Sequence, residues 1–357
     1  MTVGTGLRSP LHEMVETTPT DYWNDSCSIE ELTYAIANGA VGATSNPTIV
    51  GEVLAKEMDD WRPRIVELAH ANATWTEDEV TWALIEEIAA NASKLLLPVF
   101  EREQGRKGRL SIQTSPKLYR DPKRLVEQTV RFHGLSPNMQ VKLPATRAGI
   151  AAIEEATARG VSINATVSFT VPQALAVGGA VQRGLERRGS ADDMTPVCTI
   201  MVGRLDDWLE VAAAKSGALL TPGTVSWAGI ACVKRAYAIY HERGYRTRVL
   251  AAAYRNHRHW SELIGGDIIL TIPSKWQKLF NASDIEVTSR FDDAVPADAI
   301  EELERLVPDF SRAYEPAGMS VDEFDGFGAT VRTLRSFIAS YQELVATVRD
   351  VVLPSPD

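Results

Sequence analysis

A lysine lies inside an apolar run, QVKLPAT, at residues 140–146. The run is typical of a buried strand, and HGLSPN, at residues 133–138, supplies turn residues before it. A buried ammonium group is unfavourable unless it is paired or its pKa falls until the group is neutral. A neutral buried lysine is a nucleophile that forms Schiff bases with carbonyl substrates. The alternative is that Lys142 lies at a strand end and its side chain reaches water.

Other polar residues lie at the ends of similar apolar runs, where they could surround Lys142. Taken singly, each is explained as a helix cap, a turn residue, an ordinary strand residue or a surface charge. Together they supply a carboxylate, amides, hydroxyls and two guanidinium groups, and two arginines can hold a phosphate and favour a neutral lysine. These residues are Asp25, Asn46, Gln113, Asn164, Thr166, Thr199, Arg204 and Arg255.

Eight short apolar runs are the predicted strands, and helix signals separate them. The signals include a capping box, in which Glu79 follows Thr76 by three residues, and amphipathic segments at 148–160 and 225–245. This alternation predicts an α/β fold, a parallel (β/α)8 TIM barrel. A doubly wound open sheet is the alternative, but no glycine-rich turn follows the first strand. The predicted strands are residues 21–25, 41–45, 109–114, 139–144, 162–167, 197–202, 248–254 and 267–272.

The expected organisation has three parts: an N-terminal arm (1–20), the barrel (21–284) and a C-terminal helical extension (285–357). The extension contains a long amphipathic stretch at 321–348, which charged residues of both signs interrupt. We therefore expect it to pack on the barrel or on a partner subunit, and not to enter a membrane. A homodimer is an expectation of this arrangement.

The composition excludes several classes of function. The chain has 357 residues, is 45% hydrophobic and carries a net charge of −10, which argues against nucleic-acid or anionic-membrane partners. It shows no signal peptide and no membrane-length apolar run, and its three cysteines are widely spaced. We therefore expect a cytoplasmic location. His257 and His259 lack ligands at suitable spacing, so we interpret them as surface residues and predict no metal site.

The order of these motifs resembles the transaldolase family from about residue 10 to residue 280. PLHEMVETTPTDYWND resembles the N-terminal segment of the longer bacterial members, and GATSNPTIV is similar to a Thr-Thr-Asn-Pro signature. QVKLPAT is similar to the motif of the family's Schiff-base lysine, and GVSINATVSFT to a Gly-x-x-x-Asn-x-Thr motif. MVGRLDDW and AAYRNHRHWSELIGGDIILTIP are similar to its two phosphate-arginine regions.

The resemblance implies a class I aldolase-type barrel that cleaves a phosphorylated ketose and transfers its dihydroxyacetone unit to an aldose phosphate. Lys142 would be the nucleophile, and Asp25 would act as acid and base on the hydroxyl beside the scissile bond. Asn46 and Asn164 would hold substrate hydroxyls, and Thr166 would help to hold a catalytic water. No cofactor is implied, because the imine acts as the electron sink.

Arg204 and Arg255 would bind the phosphate of the donor or acceptor, with Thr199 as a hydroxyl partner.

The sequence departs from the family's usual pattern at three positions. Gln113 replaces a glutamate that activates water, and an amide cannot take a proton. Met201 occupies the position of the tyrosine found in related fructose 6-phosphate aldolases, which also have glutamine at the Gln113 position. Ala253 replaces a serine beside the phosphate arginine in many members.

Three hypotheses follow from the motifs and their departures. The first is a transaldolase or close aldolase relative that forms an imine on Lys142. The second is a specialised enzyme for another ketose or acceptor. The third is a sugar-phosphate-binding barrel with little turnover, which would be stabilised by ligands without forming product.

Overall fold

Eight parallel strands close into a barrel in sequence order in the computed structural model, which describes residues 9–190 and 194–356. Closure is made by the first and last strands, where Asp21 pairs with Ile269 and Asn24 with Ile272. The predicted TIM barrel and all eight predicted strands are confirmed, and the open-sheet alternative is wrong. The strands are β1 Asp21–Asn24, β2 Gly42–Thr44, β3 Arg109–Gln113, β4 Met139–Pro144, β5 Ile163–Thr166, β6 Val197–Met201, β7 Arg248–Ala252 and β8 Ile269–Ile272.

The helices of the described part of the chain surround this barrel and continue beyond it. They are α1 Pro10–Thr17, α2 Ile29–Ala37, α3 Pro47–Lys56, α4 Met58–Ala71, α5 Glu77–Arg102, α6 Pro122–His133, α7 Arg147–Ala158, α8 Val171–Arg188, α9 Val202–Ser216, α10 Ala228–Glu242, α11 Arg258–Ser261, α12 Ser274–Asn281, α13 Ala297–Leu306, α14 Pro308–Tyr314 and α15 Gly328–Val352. None of them has the length and apolar composition that a membrane crossing needs.

Two of the predicted helix signals can be compared with the structure. The capping box at Thr76 and Glu79 is confirmed, because each side chain bonds to the backbone N–H of the other. The segment 225–245 begins as a short 3-10 turn at Val225–Trp227, and its α-helix proper is α10. The predicted single long helix was therefore too long at both ends.

Alternation along the strands divides the barrel interior from the layer beneath the helices. Trp23, Val197, Leu250 and Ile269 form part of a buried apolar cluster inside the barrel. The alternate residues of the strands, such as Val141 on β4, belong to the main core between strands and helices. This packing fixes which side chains of each strand reach the mouth of the barrel.

The C-terminal extension packs along one side of the barrel. Helix α15 contacts α3, α4, α5 and α9, and its Tyr341 is fully buried, stacks on Trp82 at 5.4 Å and donates to Asp78 at 2.6 Å. At the other end of the chain, α1 packs against α12. Residues 1–8 of the predicted N-terminal arm lie outside the described residues. The division into three domains stays a prediction.

Candidate active site

Lys142 lies at the mouth of the barrel, between the neighbouring strands that also carry predicted site residues. The register of the sheet pairs Lys142 with Gln113 of β3 and with Asn164 of β5. Its side chain is only 5% exposed, and its Nζ donates to the carbonyl oxygen of Ser45 at 3.3 Å. Burial lowers the pKa of Lys142 below its ordinary value, and the Asp25 carboxylate opposes that effect. The alternative of a lysine that reaches out to water is wrong.

Asp25 directly follows β1 and faces the same mouth. Its Oδ1 accepts a hydrogen bond from the Thr44 hydroxyl at 2.6 Å, and Thr44 in turn lies 2.6 Å from the Thr271 hydroxyl. Burial raises the pKa of the Asp25 carboxyl, while the charges of Lys142 and Arg204 and the hydrogen bond from Thr44 act in the opposite direction. The site therefore keeps a carboxyl group and an amine that both shift toward their neutral forms.

A chain of hydrogen bonds runs through the barrel interior beneath these groups. Thr199 donates to Asn164 Oδ1 at 2.7 Å, Asn164 Nδ2 donates to Ser111 at 3.2 Å, and Ser111 donates to Gln140 Oε1 at 2.7 Å. All four side chains are buried. The chain fixes the Asn164 amide beside Lys142, and Thr199 holds the oxygen of that amide from the neighbouring strand β6.

Gln113 and Thr166 lie beside Lys142 and Asn164 at the carboxyl ends of their strands. Gln113 is 5% exposed, and its buried Oε1 has no hydrogen-bond partner in the described part of the chain. Thr166 is also buried. A buried polar atom without a partner is unfavourable, so the Gln113 oxygen is suited to accept from a bound water or substrate hydroxyl.

Asn46 has a structural task at the start of α3. Its Oδ1 accepts from the backbone N–H of Ile49 at 3.1 Å, which caps the helix, and Pro47 occupies the first helical turn. The Oδ1 of Asn46 is therefore used in the cap, and its Nδ2 remains to donate to a ligand. The cap explains the asparagine without any function, so the substrate role of Asn46 stays a prediction.

The two predicted phosphate arginines meet where β7 ends and α9 begins. The backbone N–H of Gly203 donates to the carbonyl of Ala253 at 3.0 Å, and a Cβ at Gly203 would lie 2.1 Å from that oxygen. Only glycine permits this close approach, which places Arg204 on the same side of the mouth as Arg255. Arg255 forms a bidentate ion pair with Asp207, at 2.7 Å between Nη2 and Oδ2.

The sequence patterns did not reveal a buried histidine, His259, beneath the segment after β7 that carries Arg255. His259 is fully buried, its Nδ1 accepts from the backbone N–H of Arg255 at 3.1 Å, and its Nε2 donates to Asp206 at 2.9 Å. The interpretation of His259 as a surface residue is wrong, whereas His257 is exposed. Helix α11 is too short for periodicity to reveal which side is buried. His259 and Asp206 hold the backbone that carries Arg255.

Tyr254 is a second group that sequence reasoning missed. It is 3% exposed, and its hydroxyl has no hydrogen-bond partner among the described residues. Burial raises the pKa of Tyr254, and the Asp25 carboxylate raises it further. Ala253 immediately before it has a φ of +67°, and Val167 after β5 has a φ of +51°. Such strained backbone is concentrated at functional sites, and here two instances follow strands of the site.

Across residues 9–190 and 194–356, no group of three or more histidine, cysteine, aspartate or glutamate side chains is arranged to hold a metal ion. A cleft of about 520 Å³ lies at the opposite end of the barrel, where Asp21 and Arg248 begin their strands. Chemistry in such barrels takes place at the carboxyl ends of the strands, so we assign the site to the mouth that contains Lys142.

The fold and this site define a (β/α)8 barrel with a buried lysine among polar groups at its mouth. The model of the Transaldolase/Fructose-6-phosphate aldolase family matches residues 22–346. The chain belongs to this family and is an enzyme of it, which confirms the resemblance inferred from the motifs.

The chain is similar to curated transaldolases over most of its length. A transaldolase of Thiobacillus denitrificans is 29% identical over 350 residues, which cover 87% of this chain and 90% of that protein. A transaldolase of a Parafrankia species is 26% identical over 371 residues, covering 92% and 94%. A transaldolase of Thermobifida fusca is 32% identical over 217 residues, covering 57% and 56%.

Proposed function

We propose that this enzyme transfers a dihydroxyacetone unit between phosphorylated sugars through a Schiff base on Lys142. The observation that carries the proposal is the buried Lys142, whose pKa is lowered by burial at a mouth that also holds Asp25. A lowered pKa leaves more of the amine unprotonated at neutral pH, and the unprotonated amine is the nucleophile. Membership of the transaldolase family and the names of the relatives support the same activity.

The first step joins Lys142 to the ketose. Its Nζ attacks the keto carbon, and the carbonyl oxygen takes up two protons, one from the amine and one from Asp25, so that water leaves as the protonated imine forms. Asp25, whose pKa is raised by burial, is the group that donates and accepts these protons. The imine then provides the electron sink for the next step.

The second step breaks the bond between the carbons α and β to the imine. The proton of the β-hydroxyl passes to the Asp25 carboxylate, the bonding electrons move into the imine to give an enamine, and an aldose phosphate leaves. The enamine carbon then attacks the carbonyl carbon of the acceptor aldose phosphate, and Asp25 returns its proton to the new hydroxyl. Hydrolysis of the resulting imine releases the product ketose.

The remaining residues bind and orient the substrates. The Asn46 amide nitrogen and the Asn164 amide are suited to the hydroxyls of the bound unit, and Arg204 and Arg255 to the phosphate. Thr199 supports Asn164 through its hydrogen bond.

The water that hydrolyses the imine needs a site of its own. Gln113 and Thr166 are suited to orient it, because Gln113 Oε1 lacks a partner in the described residues and can accept from it. An amide cannot take the proton, so Asp25 is left to carry proton transfer. A poorly activated water slows the hydrolysis that releases the product, but not the carbon–carbon bond formation that precedes it.

Borohydride trapping tests the proposal. The enzyme is mixed with fructose 6-phosphate, and borohydride is added to reduce the imine. Mass spectrometry then gives the masses of the intact chain and of its peptides. We expect a dihydroxyacetone-sized adduct on Lys142 in the wild type and none in Lys142→Met. The matched control, Lys94→Met, removes an exposed lysine of α5 and should leave the adduct intact.

The trapping experiment also decides between the alternatives. An adduct with other ketoses but not with fructose 6-phosphate would favour the specialised enzyme. A folded protein that binds sugar phosphates without an adduct from any ketose would overturn the proposal in favour of the binding barrel.

We propose a cytoplasmic setting, in keeping with the buried thiols Cys27, Cys198 and Cys232. The homodimer stays a prediction.

A further inference from the structure

We propose that helix α15 completes the anion site at the barrel mouth, so that Arg332 and Arg335 bind the substrate's phosphate together with Arg204 of the barrel. The inference rests on the proposed function for the identity of the substrate. It assigns a binding role to the C-terminal extension, because Arg332 and Arg335 lie outside the motifs of the barrel. The recognised class of ligand is a sugar phosphate whose dianionic end faces α15.

Arg204 is a cation that lacks an acidic partner. It forms no ion pair with a carboxylate in the described part of the chain, and its guanidinium lies over the Phe337 ring of α15 at 5.1 Å from the centroid. The carboxylate beside it, Asp207, is already held by both Nε and Nη2 of Arg255. An arginine kept partly buried on an aromatic ring is fixed in position and available to an anion.

Helix α15 brings two more arginines to the same place. Arg332 and Arg335 line a cleft of about 320 Å³ together with Arg204 and Asp207. They are three residues apart, so they lie on one face of the helix. Arg332 donates to the backbone carbonyl of Asp207 at 3.2 Å, which joins α15 to α9. Neither arginine forms an ion pair within residues 9–190 and 194–356.

The charges of this cleft repel one another. Burial lowers the pKa of Arg204, and the neighbouring Arg255 and Arg332 lower it further, although the carboxylates of Asp207 and Asp25 oppose them. Like charges held together by a folded scaffold favour a bound anion that neutralises them. Four guanidinium groups, of Arg204, Arg255, Arg332 and Arg335, against the carboxylates of Asp207 and Asp25 still leave an excess of positive charge, which a phosphate dianion would offset.

The geometry gives the phosphate two sets of ligands from different parts of the fold. Arg204 lies in the first turn of α9 just after β6, and Arg255 follows β7, whereas the α15 arginines approach from the extension. Phe337 and Tyr341 are buried beneath the same helix, so α15 is anchored firmly enough to hold Arg332 and Arg335 in place.

Calorimetric titration with sorbitol 6-phosphate tests this inference, because that sugar phosphate has no carbonyl and cannot react with Lys142. We expect Arg335→Gln and Arg332→Gln each to weaken binding about threefold to tenfold, and the double variant more, since each loses a charge-assisted contact. Binding should also become less dependent on salt. Arg349→Gln is the control, because Arg349 is exposed on α15, pairs with Asp350 and lies outside the cleft.

Each outcome decides the question. Binding by Arg332→Gln and Arg335→Gln that equals that of Arg349→Gln, while Arg204→Gln binds weakly, would overturn the role of α15. A wild type that binds no sorbitol 6-phosphate would overturn it as well, even if Lys142 is trapped by a ketose. The expected arginine dependence without any Lys142 adduct would support the anion site and reject the proposed function. Thermal unfolding of each variant checks that the fold is intact, and Arg335→Gln removes no hydrogen bond of the described residues.

Discussion

Asp25 and Lys142 face one barrel mouth, and each opposes the effect of burial on the other's pKa. Burial lowers the pKa of the amine and raises that of the carboxyl, while their mutual attraction favours both charged forms. The site thus holds an amine whose unprotonated form is favoured for attack and a carboxyl whose protonated form is favoured for proton donation. Lys142 lies on β4 and Asp25 follows β1, which explains why no local sequence pattern contains the pair.

Asp25→Asn should move the pH dependence of imine formation to lower pH. The carboxylate raises the pKa of Lys142, so removing its charge lets that pKa fall further, and the unprotonated amine then persists to a lower pH. The measurement is the single-turnover rate of adduct trapping between about pH 5 and pH 10, with the midpoint of the acid limb as the readout. A midpoint that stays in place or rises would contradict the electrostatic coupling. Asp59→Asn, an exposed change on α4, should not move it.

Gln113→Leu should slow hydrolysis of the bound unit more than its transfer. The Gln113 Oε1 has no protein partner in the described residues, so the change breaks no such bond, but it removes the acceptor proposed for the water. We expect release of free dihydroxyacetone without an acceptor to fall about tenfold through loss of orientation. Carbon–carbon bond formation with erythrose 4-phosphate should fall less, measured in a single turnover as the borohydride-trapped seven-carbon adduct on Lys142. Equal losses in both reactions would contradict the role of Gln113, and Gln182→Leu on α8 is the control.

The barrel could be predicted because strand periodicity and helix caps are local. Lys142 could be singled out because a lysine in an apolar run conflicts with burial. Arg332 and Arg335 could not, since two arginines on an amphipathic helix look like a solvated face until α9 is placed beside them. Tyr254 was equally hidden, because an aromatic residue after a strand predicts only core packing.

His259→Leu should destabilise the enzyme and weaken the binding of phosphorylated substrates. The change leaves the Asp206 carboxylate, which is 5% exposed, without its imidazole partner, and it removes the acceptor of the Arg255 N–H. We expect a loss of about 3 kcal/mol in the free energy of unfolding by urea. KM for fructose 6-phosphate should rise about tenfold, because Arg255 loses its support.

The neighbouring histidine offers a matched control for that change. His257 is exposed two residues earlier on the same loop, so His257→Leu should alter unfolding by less than about 0.5 kcal/mol. Equal effects of the two substitutions would show that the loop, and not the pair of His259 and Asp206, determines the loss. Asp206→Asn keeps an acceptor for His259 and should lie between them.

Tyr254→Phe should stabilise the fold, although it removes a hydroxyl. The Tyr254 hydroxyl is buried without a hydrogen-bond partner in the described residues, and such a group opposes folding by about 1 kcal/mol or more. Tyr22→Phe should have the opposite sign, because the Tyr22 hydroxyl is buried and donates to Gln277 Oε1 at 2.7 Å. Unfolding by urea measures both. A loss of stability in both variants would mean that Tyr254 has a partner, such as an ordered water. A gain in stability with a loss of turnover would mean that the hydroxyl near Asp25 is kept for the reaction at the expense of the fold.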